Sequence, residues 1–183
     1  MSLYKDQTLK EAVLNLPQKE KDKLLIRLIN KDKMLVKQLH YELLEDELDL
    51  EDRITDLKNR LDRHFELAQA SIKNLPMYSN YKQLHAYLRQ ASGLVNEHEK
   101  ITKDKFSVVE CRLIILGDAF DLFPRLFEPS ALAPALKLQK YVQGRIKNAM
   151  TSFDKLHEDL QFDLQDQMTR VLDFAQDHRL SHQ

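Results

Sequence analysis

Between Leu50 and Leu75 the chain has neither glycine nor proline, and its apolar positions recur with a helical period. Leu50, Ile54, Leu57, Leu61, His64, Ala68 and Ile72 are separated by 4, 3, 4, 3, 4 and 4 residues. That spacing holds them on one side of a helix, close to a coiled-coil seam, whereas a strand needs alternation with period two. No run in the sequence alternates over strand length. Only 3 glycines and 5 prolines occur in 183 residues, which leaves little material for the tight turns of a sheet. The fold class expected is all-α: a bundle of about four long helices with a short helical N-terminal region. Residues 1–48 form that region and 49–183 the long-helix bundle, either as two domains or as one continuous domain.

Within the bundle, the Leu50 helix ends at Pro76. Leu57 and Leu61 face inward on it and Lys58 outward. Tyr81, Leu84, Leu88, Ala91 and Val95 mark the next helix. Thr102 or Asp104 caps a third, carrying Phe106, Val109, Leu113, Leu116, Phe120 and Phe123 at 3/4 spacing. From Leu132 to Ala175 an approximate helical face persists. The sequence leaves open whether 130–176 is one helix or two, with Thr151 or Ser152 as the cap of a second.

The N-terminal region opens with Leu9, Val13 and Leu16 on a short helix that stops at Pro17. Next, Lys21-Asp22-Lys23-Leu24-Leu25-Ile26-Arg27 is echoed ten places on by Lys31-Asp32-Lys33-Met34-Leu35-Val36-Lys37. Ten residues turn a helix by about 1000°, leaving equivalent positions roughly 80° apart, so the copies do not share a face of one straight helix. With Asn30 as a stop and Asp32 as a cap, the reading is two antiparallel helices joined at Asn30-Lys31. It is one amphipathic pattern used twice, not a repeat.

The net charge of -1 shows no global basic bias. Its distribution is uneven: residues 1–40 carry nine basic and five acidic side chains, a net +4, and 41–66 carry four and ten, a net -6. Residues 67–150 are net +5 and 151–183 net -4. Alternating blocks suit helices that lie against oppositely charged neighbours, in the same chain or another. The first ten residues hold Lys5, Asp6 and Lys10 and no apolar run of the secretory kind, and Glu110, Arg112 and Asp118 interrupt the most apolar stretch, Phe106–Phe120. A cytoplasmic protein that does not span a membrane is expected.

Chemistry finds little footing. Di-iron helical bundles use two Glu-x-x-His pairs, because ligands at i and i+3 project together into the core; the sequence has none. Three weaker metal arrangements remain: Asp154 with His157, His178 with His182, and His64 with His85, whose helices should be neighbours across Pro76. Cys111, the only cysteine, sits on an apolar helix and reads as a buried small hydrophobe. The glycines stand alone at 93, 117 and 144, with no phosphate-cradling loop and no Gly-x-Ser-x-Gly. No catalytic or cofactor-binding residue is assigned, and no cofactor. Lys137, Lys140 and Lys147 share a helical side with Arg145 and Tyr141 nearby, the minimum for phosphate contact.

The function expected is therefore interaction, with a protein partner or as a homo-oligomer. Leu156, Leu160, Leu164 and Met168 form one stripe near the C-terminus, and Phe162 and Leu172 widen it beyond what one neighbour covers. A helix sandwiched between two others of its own chain explains the same pattern. The alternatives are a metal-dependent helical-bundle enzyme with converging His, Asp and Glu, and a weak nucleic-acid binder using the lysine stripe.

Overall fold

A computed structural model of the chain describes residues 5–180. Among them are eight α-helices, one four-residue 3-10 turn and no strand, so the protein is all-α. The described residues form two compact units, divided between Glu45 and Asp46.

The first unit holds α1 (Gln7–Leu14), α2 (Gln18–Ile29) and α3 (Lys33–Leu44). Two aspartates start the first and third. The Asp6 carboxylate accepts from the Leu9 N–H, and that of Asp32 from the N–H groups of Met34 and Leu35. Each satisfies donors that a helix start leaves unpaired. Pro17 immediately precedes α2, where its fixed φ suits entry to a helix. The first KDK copy lies inside α2, while Lys31-Asp32 of the second forms the break before α3. The echo is thus two helices, in contact with each other, built on one pattern.

The second unit holds α4 (Glu47–Ser71), α5 (Tyr78–Thr102), α6 (Lys105–Leu122), α7 (Ala133–Phe153) and α8 (Glu158–Asp177), five helices of 18 to 25 residues. A capping box, Asp46 with Asp49, starts α4. The buried side of α4 begins only at Leu57 and continues through Leu61, Phe65 and Ala68; Leu50 and Ile54 are half-buried. Central to the unit is α6, which touches α4, α5, α7 and α8. Val108, Val109, Cys111, Leu113, Ile115, Leu116, Ala119 and Phe120 are all buried on it. A helix apolar around most of its circumference has to be surrounded. At its end, Pro124–Phe127 makes the 3-10 turn and buries Leu126 and Phe127. Phe120 stacks on Phe174 of α8 at 4.2 Å and meets Phe127 edge-on at 5.0 Å.

Residues 133–177 form two helices, and the divide lies later than the Thr151/Ser152 cap expected from sequence. The Thr151 hydroxyl instead donates to the Lys147 carbonyl within α7, and Ser152 accepts from Arg112. His157 is the cap of α8, its first turn made acidic by Glu158 and Asp159. Gln161 reaches back and donates to the carbonyls of Phe153 and Leu156 at 3.1 and 3.0 Å. Phe153 ends α7 and Leu156 lies in the turn after it, so one amide side chain ties the start of α8 to both and secures the corner. No helix among the described residues is long and apolar enough to cross a membrane.

Candidate functional site

The histidines go to separate places. His64 on α4 bonds through Nε2 to the Tyr87 carbonyl at 2.9 Å and packs against the Tyr87 ring. His85 on α5 lies against the Tyr141 ring of α7, 4.8 Å between centroids. The proposed His64–His85 pair is therefore engaged with other partners. Asp154 and His157 fall on opposite sides of the α7–α8 break, as the C-cap of one helix and the N-cap of the next, and so do not project from one helical face. His178 stacks on Phe174 at 3.8 Å with Nδ1 at 3.0 Å from the Phe174 carbonyl; His182 lies outside the described residues. Among the described residues no three His, Cys, Asp or Glu side chains come together as metal ligands.

His98, which the sequence reading passed over, is the buried one. Its Nε2 lies 2.9 Å from the Ser107 hydroxyl, and burial lowers its pKa from the ordinary 6.5, partly countered by Asp104. Ser107 N–H in turn donates to Asp104, and Asp104 N–H to the Thr102 hydroxyl. This network ties α5 to α6 at their turn. The signal for it was present: His98 and Thr102 extend the Leu84, Leu88, Ala91, Val95 seam by three and four residues. Cys111 is fully buried, and burial followed by the Glu110 charge pushes its thiol up to about 12. A thiol held protonated is a poor nucleophile and ligand.

The C-terminal stripe is mostly spent within its own unit. Leu156, Leu164 and Met168 are buried, and Leu172 packs against the core. Leu160 and Phe162 remain outward, the latter 82% exposed. On α7, Lys137, Lys140 and Lys147 are all exposed. Tyr141, the aromatic beside them on α7, is occupied: its hydroxyl donates to Ser92 at 2.9 Å, and Arg145 lies over its ring. No aromatic on that stripe is left to stack a base.

The unsatisfied apolar surface lies instead in the first unit. Not one residue of α1, α2 or α3 is buried. Leu24, Ile29, Met34, Leu35 and Leu39 are half-buried. Outside them, Leu9, Leu14, Leu25, Ile26, Leu28, Val36, Leu43 and Leu44 are between 41 and 73% exposed. Val36, Leu43 and Leu44 occur at i, i+7 and i+8 and so share one side of α3. Comparison with protein-family models, with curated proteins and with solved structures finds no match.

Proposed function

We propose that the protein acts by contact rather than by chemistry, and that the contact is self-association through α1–α3. The observation behind this reading is three helices with no buried residue and eight large aliphatic side chains turned to water. Isolated helices shorter than about 12–15 residues are marginal in water. A unit of this size supplies too little core to offset its ordering entropy, and small domains of the kind commonly gain the missing burial by oligomerising. A second copy fits the charge pattern. In a two-fold contact that runs on from α1–α3 to α4, the net +4 of residues 1–40 in one copy can face the net -6 of residues 41–66, whose acidic side chains lie mostly on α4, in the other, and the reciprocal pairing follows by symmetry.

Light scattering across the micromolar range tests it. The full chain should be dimeric or larger, and a Leu25→Asp, Leu43→Asp variant monomeric with its helical circular dichroism largely kept. A wild-type chain that stays monomeric throughout that range overturns the reading. So does a double variant that associates as the wild type does.

A further inference from the structure

A group of cations with no carboxylate partner lies where α5 and α7 pack together. Tyr78, Lys82, His85 and Arg89 recur along α5 at spacings of 4, 3 and 4, on one side of the helix, and Lys137 faces them from α7. Together they line a cleft of about 350 Å³. No acidic side chain lines it, and none among the described residues pairs with Lys82, Arg89 or Lys137. The Lys82 ammonium lies over the Tyr78 ring, as Arg145 lies over that of Tyr141, but neither contact supplies a negative charge. The cleft also sits where both helices begin. Tyr78 is the first residue of α5 and Ala133, on the cleft wall, the first of α7; neither start has a side-chain cap. Open first-turn N–H groups add partial positive charge to the same end.

We propose that this cleft is an anion site for a small phosphate-bearing molecule, its phosphate held by Lys82, Arg89 and Lys137. Two helices contribute the cations, so the phosphate would bridge α5 and α7. Three cations exceed what a single carboxylate needs and match the charge and several acceptor oxygens of a phosphate or diphosphate. The volume is at the small end of ligand pockets, of roughly 300–1,000 Å³, and suits a compact molecule better than a nucleic-acid strand, which needs a continuous groove. The Tyr78 ring, half exposed with the Lys82 ammonium 5.1 Å from its centre, offers a flat apolar face for whatever the phosphate is attached to. His85, on the same cleft wall, lies close to cations from both helices. After burial, the causes that lower its pKa are Arg89 from its own helix and Lys137 from the facing one.

Calorimetric titration of the full chain with inorganic pyrophosphate provides the test. Saturable binding at one site per chain is expected. Lys82→Gln and Lys137→Gln, on different helices, should each weaken it about tenfold, and Arg89→Gln at least as much. These side chains are exposed, so their variants should melt with the wild type, and that is checked first. Lys140→Gln and Lys147→Gln, on α7 but outside the cleft, should leave the affinity unchanged. The proposal is overturned by the absence of saturable binding, by binding indifferent to the cleft variants, or by equal weakening from Lys140→Gln and Lys147→Gln, which would mean diffuse attraction. Parallel arms with phosphatidic-acid vesicles and with a single-stranded oligonucleotide separate the sources. Binding to either one without binding to pyrophosphate also overturns it. All the residues concerned lie outside α1–α3, so this result and the self-association result stand or fall separately.

Discussion

Lys58 shows how much one neighbour changes the worth of a residue. By helical register it belongs outside, next to the inward Leu57 and Leu61, and those two are indeed buried at 3 and 0% exposure. Yet its ammonium reaches Glu110 of α6 at 2.7 Å, and the two side chains are only 36 and 17% exposed. Register alone could not show this, because Glu110 is 52 residues away in sequence. Leu61→Ala should cost about 2–5 kcal/mol by opening a cavity. Lys58→Ala, a change worth within about 0.5 kcal/mol on open surface, should cost about 1–2 after allowance for solvent screening, since Glu110 is left partly buried without its cation. Urea unfolding of both variants checks the pair, and a Lys58→Ala loss below that surface value would mean the ion pair contributes nothing. Asp118 has the opposite character. Burial, then the charges of Asp62 and Asp121, raise its pKa from 3.8 to about 6 against the pull of Arg170. Between those values the folded chain keeps a proton that the unfolded chain has released, so stability falls as pH rises through that window and remains lower above it. Asp118→Asn should therefore raise the Tm at neutral pH, by a stability gain of about 1–3 kcal/mol, and leave it unchanged below about pH 4. Thermal melts at both pH values check it; an equal gain at both would place the cause elsewhere.

Among the elements, helix ends separate what was readable from what was not. Asp104, Asp32 and the Pro17 boundary could be read because capping and proline chemistry act over one to three residues. The α7–α8 corner could not. Its cap is a histidine, an uncommon choice, and the Gln161 bonds that secure it depend on the turn having already formed. The central place of α6 was implicit in its being the most apolar stretch of the chain, but which helices surround it is a matter of packing that a linear pattern does not encode. Lys103 is a further case. It ends α5 in the left-handed region at φ 57°, where a Cβ crowds the backbone and glycine is usual. Lys103→Gly should stabilise the second unit by up to about 1 kcal/mol, the relief of strain being partly offset by the looser unfolded chain. Denaturant midpoints measure this, and a loss of stability would show that the lysine side chain contributes more than its backbone costs.

For the molecule as a whole, the sequence conveyed helix content and the inward sides of the long helices, because period and composition agree along nearly its whole length. It did not convey which amphipathic helices find cover. α1–α3 and the α8 stripe have the same kind of pattern; Leu164 and Met168 are buried, whereas Leu25 and Leu43 are 57 and 71% exposed. Nor did it convey the α5–α7 cleft, whose cations come from segments some fifty residues apart. Fully buried Cys111, the chain's single thiol, turns that uneven cover into a measurable rate. A disulfide-exchange dye can reach its sulfur only when the helices around α6 come apart. Labelling of the native protein should therefore proceed at the opening rate of the second unit, to one dye per chain, and be indifferent to reagent concentration once attack outpaces reclosing. Amide exchange in α1–α3 should be complete long before the first dye is bound. Labelling that keeps pace with that exchange would show that the thiol is reached without the core opening. The lone cysteine thus acts as a stopwatch for the second unit and is blind to the first.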